Sequence, residues 1–143
     1  MKTEKIIFNA FKTNGGNAFK GKIIFNNVTL NVGNGFNSAD GTFRAPISGH
    51  YKFAFSAIGG IGGDDTTGID TWVEVYKSGS HEFSIGDSNN GYYSDGNNIS
   101  YDWIWSLNRG DTVSLKVYGG ESYLSSTSHR PVNFNGQLVF VET

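Results

Sequence analysis

Three loop regions of this chain hold residue types capable of binding chemistry. Asp87 and Asp95 flank the run SNNGYYS inside the polar stretch Gly86–Asn98. Hard cations take oxygen ligands from loops, with carboxylates supplementing carbonyls, so this pair is a candidate calcium site. Asp64, Asp65 and Asp70 form a second acidic cluster in Gly59–Asp70. Solvated loop carboxylates are the plain alternative for both groups. Tyr92 and Tyr93 lie in the first stretch; Tyr123, Ser126, His129 and Arg130 lie in a later one, Gly119–Val132. Aromatic rings that stack on a sugar face, amid hydroxyl and cationic donors, suit a glycan. Arg130 has the fork geometry to pair with a sugar carboxylate. The alternative here is tyrosines packed under their loops and an ordinary surface arginine.

Catalytic constellations are missing. Of the three histidines, His50 lies within an aromatic-rich strand, His81 at a strand start and His129 in a loop. None forms an H-x-x-x-H pair, no G-x-S-x-G occurs, and there is no cysteine nucleophile. The glycines of 59–63 do not follow G-x-G-x-x-G or open a helix, which argues against phosphate binding. The chain reads as a non-enzyme.

The elements that must position these loops are strands. Apolar residues alternate with period two between Gly- and Asn-rich breaks, and no segment sustains a helical period. The pattern predicts ten strands: Ile6–Phe11, Lys22–Phe25, Val28–Leu30, Thr42–Ala45, Gly49–Ile58, Thr71–Lys77, His81–Ile85, Ile99–Leu107, Thr112–Tyr118 and Phe134–Val141. Thr13–Asn17 and Asn31–Gly41 read as turn and loop. In the strongest strand Tyr51, Phe53, Phe55 and Ala57 share one face. In Ile99–Leu107 one face carries Tyr101, Trp103, Trp105 and Leu107, yet Ile104 lies opposite. The last strand is expected to place Phe134, Leu138 and Phe140 on one face and Val139 and Val141 on the other. Strands apolar on both faces need cover on both. A neighbouring subunit would supply it, unless the aromatics fill the subunit's own core.

Composition bounds the rest. At 143 residues the chain is expected to be one domain, 1–143. Twenty glycines against two prolines indicate many tight turns rather than a linker. The net charge of −2 leaves no basic stripe, so nucleic acid is not an expected partner. No apolar run reaches the roughly 18 residues of a membrane helix. The absence of cysteine excludes disulfides but not export. MKTEKIIFNAF lacks a signal-peptide pattern, which fits a cytosolic protein or a mature exported domain. The triplets Asn27-Val28-Thr29 and Asn98-Ile99-Ser100 are glycosylation sequons, a weak pointer to secretion.

One stretch goes further. From Phe25 the spacing F-x5-N-x4-F-x6-F-x5-G-x-Y-x-F-x-F runs through Asn31, Phe36, Phe43, Gly49, Tyr51 and Phe53 to Phe55. Leu107 with Gly110-Asp111-Thr112-Val113, and Phe134-Asn135-Gly136-Gln137-Leu138 near the end, complete the pattern. Together these resemble the complement C1q globular-domain family across essentially the whole chain. The resemblance implies an all-β, ten-stranded jelly-roll sandwich, related in fold to the tumour necrosis factor ligands, that assembles as a homotrimer. It implies a secreted, extracellular protein that acts by binding. Tyr101, Trp103, Trp105, Phe53, Phe55, Phe134 and Leu138 are then the expected core or trimer-contact residues. The loop holding Asp87 and Asp95 resembles the acidic loop where some C1q-like trimers bind calcium near the three-fold axis. No collagen-like Gly-X-Y stalk is present in this chain. The leading expectation is a trimeric lectin-like or pattern-recognition protein of innate-immunity type that binds carbohydrate through its loops. A signalling ligand for a cell-surface receptor, or a structural matrix node, are the alternatives.

Overall fold

A computed structural model describes residues 4–19, 21–59, 71–87, 98–117, 124–126 and 131–142. Among the described residues thirteen strands form two antiparallel sheets packed face to face. The first sheet runs β4 (Asn27–Val32), β1 (Ile7–Lys12), β13 (Val132–Val141), β7 (Gly49–Gly59) and β10 (Asn98–Leu107). Short β12 (Leu124–Ser126) pairs the far end of β7, and β2 (Gly16–Phe19) pairs β12. The second sheet runs β5 (Phe36–Asn37), β6 (Thr42–Arg44), β11 (Thr112–Val117), β8 (Thr71–Lys77) and β9 (Ser80–Asp87), with β3 (Gly21–Lys22) beside β11. Nine of the ten strands expected from periodicity are present; of Lys22–Phe25 only Lys22 lies in a strand, the two-residue β3, while Ile23 and Phe25 enter the core from backbone outside any strand. The three additional segments, β2, β5 and β12, are two to four residues long and sit in stretches read as turn or loop. Their composition is that of a turn; tertiary pairing makes them strands.

The core is the inner faces of both sheets. Tyr51, Phe53, Phe55 and Ala57 of β7 are buried, as are Val73 and Val75 of β8 and Val113, Leu115 and Val117 of β11. Phe8 stacks between Phe36 at 4.8 Å and Phe43 at 5.0 Å and meets Phe134 edge-on at 5.0 Å. Each such ring contributes roughly 1.5–3 kcal/mol through burial alone.

The spaced signature residues have separate structural causes. The Asn31 side chain imitates a strand neighbour: its Nδ2 donates to the Phe36 carbonyl at 2.8 Å and its Oδ1 accepts from the Phe36 N–H at 3.1 Å. That bond delivers the Phe36 ring into the core. Gly49 passes so close to β13 that a Cβ there would stand 2.7 Å from Leu138 Cδ1 and 2.8 Å from the Phe140 carbonyl oxygen. Tyr51 donates its hydroxyl to the Ile47 carbonyl at 2.7 Å, which satisfies its polar tip within the core. Asp111 organises the turn after Leu107: its carboxylate accepts from the Asn108 N–H at 2.9 Å and the Ser78 hydroxyl at 3.2 Å.

One expectation is corrected. Phe140 does not share a face with Leu138. The β13–β7 register pairs Leu138 with Tyr51 but Phe140 with His50, so a bulge lies between them. One extra residue flips the side chains beyond it. Phe140 therefore faces outward, 57% exposed, and stacks on His50 at 4.2 Å.

Candidate functional site

Where the free edges of the two sheets meet, β9 and β10 bring four aromatic rings together. Phe83 lies 5.3 Å from Trp103, 5.5 Å from Tyr101 and 5.8 Å from Trp105, all edge-on. Trp103 stacks on Phe53 at 5.6 Å, and its indole nitrogen is buried without a hydrogen-bond partner. Lys77 stands 5.8 Å from the Trp105 ring centre, in cation–π range. Of the residues expected in the core or at a trimer contact, Phe53, Phe55, Phe134 and Trp103 belong to the subunit's own core. Trp105 and Leu138 pack against it half-buried. Tyr101 alone is open, 51% exposed at the lip of this edge.

The outward face of the first sheet was not anticipated as a unit. It carries Asn9 of β1, Asn133, Asn135 and Gln137 of β13, Lys52, Ala54 and Ser56 of β7, and Ser100 and Asp102 of β10. Asn135 Nδ2 donates to Asn133 Oδ1 at 2.8 Å, and Asn133 Nδ2 donates to Asn9 Oδ1 at 2.8 Å and to the Ala10 carbonyl at 3.1 Å. Asn9 Nδ2 donates to Thr29 Oγ1 at 2.9 Å. The result is an amide ladder across three strands. Beside it Lys52 Nζ lies 3.8 Å from Asp102 Oδ2. A groove of about 560 Å³ runs over this face, with Tyr101 on its wall. The alternation of Asn133, Asn135 and Gln137 was visible in the sequence; their partners on β1 and β4 were not.

On the outward face of the second sheet, the Tyr76 hydroxyl donates to Glu74 Oε1 at 3.0 Å. His81 Nε2 lies 2.9 Å from Ser84 Oγ and 3.9 Å from Glu74 Oε2. Burial first, then the hydrogen bond to Glu74 and its negative charge, push the Tyr76 hydroxyl above its ordinary pKa. Serine and carboxylate address the same ring nitrogen of His81. A serine nucleophile needs its base on one nitrogen and the orienting carboxylate on the other. This cluster is a hydrogen-bonded surface feature, not a triad.

The loop residues are a different matter. Asp95, Tyr92, Tyr93, Tyr123, His129 and Arg130, and the second acidic cluster Asp64, Asp65 and Asp70, lie outside the described residues. Asp87 closes β9 and Ser126 closes β12 as backbone positions. Among the described residues no group of three or more His, Cys, Asp or Glu side chains is placed to hold a metal ion. No helix among them is long and apolar enough to cross a membrane. The strand ends from which the loop segments leave are well defined in register: Asn98 pairs with Ile58, Leu124 with Gly59, and Thr71 with Asp87.

Two antiparallel sheets with this strand order define a C1q/tumour necrosis factor-like jelly roll, and the comparisons with solved structures agree. The globular domain of zebrafish complement 1qA protein superposes with a TM-score of 0.71 at 20% identity, over 97% of this chain and 100% of that one. Eiger TNF from S. frugiperda gives 0.70 at 8% identity, over 99% and 96%. Murine APRIL gives 0.62 at 15% identity, over 95% and 100%. No curated protein sequence matches. The sequence model of the C1q domain matches residues 7–139, and the chain belongs to that family. C1q and tumour necrosis factor domains are non-catalytic, typically trimeric binding modules, and C1q-family proteins are generally secreted.

Proposed function

We propose that this chain is a secreted homotrimer that binds carbohydrate through its loops as a lectin-like recognition protein. Membership of the C1q family over residues 7–139 carries this reading. The loop chemistry supports it: Tyr92, Tyr93 and Tyr123 offer stacking faces, and Ser126, His129 and Arg130 offer hydrogen bonds and charge. Loops rich in Asn, Ser and Tyr on a rigid sandwich have the composition of recognition surfaces. Calcium held by Asp87 and Asp95 would offset the repulsion of symmetry-related carboxylates near a three-fold axis.

A glycan array is the direct test. Binding lost on substituting Tyr123 or Arg130 supports the proposal; array silence with tight binding to a cell-surface protein would replace it with a signalling role. Sedimentation is expected to give three times 15.6 kDa. A clean monomer at micromolar concentration would overturn the trimer. Millimolar calcium is expected to raise the melting temperature of the wild type and not of Asp87→Asn, since a ligand bound to the native state stabilises it.

A further inference from the structure

The polar loops leave one end of the sandwich, where Asn98 pairs with Ile58 and Thr71 with Asp87. At the opposite end Gly49 pairs with Leu107 and Val113 with Lys77, and the turn Asn108–Asp111 lies beside the end of β6. A cleft of about 310 Å³ opens there, and its walls carry two arginines, Arg44 and Arg109. Both are anchored. The Arg109 N–H donates to Ser48 Oγ at 2.9 Å, which fixes the root of its side chain. Arg44 Nη1 donates to the Gly110 carbonyl at 3.0 Å. Two backbone bonds of 2.9 Å fasten the turn to the segment after β6: the Gly110 N–H donates to the Ala45 carbonyl, and the Ala45 N–H to the Asp111 carbonyl.

The donors of this cleft are largely unspent. A guanidinium carries several N–H groups, and Arg44 uses only one in its bond to Gly110. Among the described residues no carboxylate pairs with either arginine. Within the same set neither the Arg109 guanidinium nor the side-chain amide of Asn34, also on the cleft, has a hydrogen-bond partner. The neighbouring carboxylates are engaged elsewhere: Asp111 accepts from the Asn108 N–H and the Ser78 hydroxyl, and Glu142 meets His50. Two positive charges therefore share a recess on a chain whose net charge is −2. Like charges held together favour an anion between them.

The geometry points to a binding site for a phosphate group, as the free ion or as a small phosphate ester. An ionised phosphate carries close to two negative charges near neutral pH, which matches two arginines; a lone carboxylate would match one. The planar fork of each arginine can take two phosphate oxygens at once. Asn34 adds a neutral donor. The cleft lies away from the glycan-binding loops, so its chemistry is independent of theirs.

Isothermal titration calorimetry at about pH 8, where phosphate is the dianion, tests the site. Inorganic phosphate, glycerol 3-phosphate and acetate are the titrants, at constant ionic strength. The wild type is expected to bind inorganic phosphate and not acetate. Arg109→Ala is expected to weaken phosphate roughly tenfold or more, the usual loss for a hydrogen bond to a charged group. Arg109→Lys keeps the charge without the fork and is expected to lose less. Lys116→Ala removes a cation near the other end of β11 and is expected to leave binding unchanged. Arg109 is exposed, so the melting temperature without phosphate should match wild type in both Arg109 variants. Glycerol 3-phosphate binding alongside inorganic phosphate supports an ester as ligand; its exclusion while phosphate binds supports the free ion. No phosphate binding at millimolar concentration, equal binding of acetate, or an equal loss in Lys116→Ala would overturn the assignment.

Discussion

Gly136→Ala is a sharp test of the packing, because two effects oppose each other. Gly136 does not have a left-handed φ, so alanine meets no backbone penalty. At an unstrained site, replacing glycine gains about 0.4–1 kcal/mol by restricting the unfolded chain. Here the added Cβ would lie 2.6 Å from Phe8 Cε1 and 2.7 and 2.9 Å from Phe53 Cδ1 and Cε1. Those are ring atoms, not flexible ends. Phe8 is wedged between Phe36 and Phe43, and Phe53 is stacked on Trp103 and Phe134. Neither ring can yield without disturbing three others, and overpacking of this kind costs about 1–3 kcal/mol. The net expectation is a loss of roughly 0–2.6 kcal/mol, about 1.3 kcal/mol at mid-range. Urea unfolding followed by tryptophan fluorescence, at fixed protein concentration, would show it as a midpoint lowered by about 1 M with the slope unchanged. Phe8→Leu in the same chain is expected to recover part of the loss, because it vacates the nearest clash. A Gly136→Ala protein more stable than wild type would refute the packing argument.

Three further outcomes are expected. Asp111→Ala removes acceptors for the Asn108 N–H and Ser78 hydroxyl, and calorimetry should show a loss of about 1–3 kcal/mol, with Asp111→Asn milder. Burial raises the Tyr51 pKa above its ordinary value of 10.0. Its contribution is therefore complete below that value and is lost as pH rises through the folded pKa. Stability should fall above about pH 10, and less steeply in Tyr51→Phe, as read from urea midpoints across that range. Gly49→Ala, pressed against Leu138 and the Phe140 carbonyl, should lower the melting temperature by several degrees, with thermal unfolding as the check.

Much of the fold was legible because a half-buried strand writes itself with period two. Tyr51, Phe53 and Phe55 announce their common face without any knowledge of what they pack against. The family spacing was legible for a related reason. Asn31 bonds Phe36 five residues on, and Gly49 and Gly136 leave room for atoms of other strands, so each residue type answers a specific contact. The bulge in β13 was not legible. Alternation continues through Leu138 and Phe140 in the sequence, and only the register against His50 reveals the extra residue.

The sequence alone determined the sheet class, the inward face of the strongest strand and the family. All of these follow from residue type and spacing along one strand or turn. Tertiary structure decided which aromatics a subunit keeps for itself. Trp103 and Tyr101 are two apart on one face, yet Trp103 is covered by Phe53 and Phe83 while Tyr101 is left open at the edge. It also decided that Asn9, Asn133, Asn135 and Thr29 form one ladder, and that Lys52 meets Asp102. These pairings join residues far apart in the chain, and their distances are set by sheet register, a property of two strands that neither strand encodes by itself.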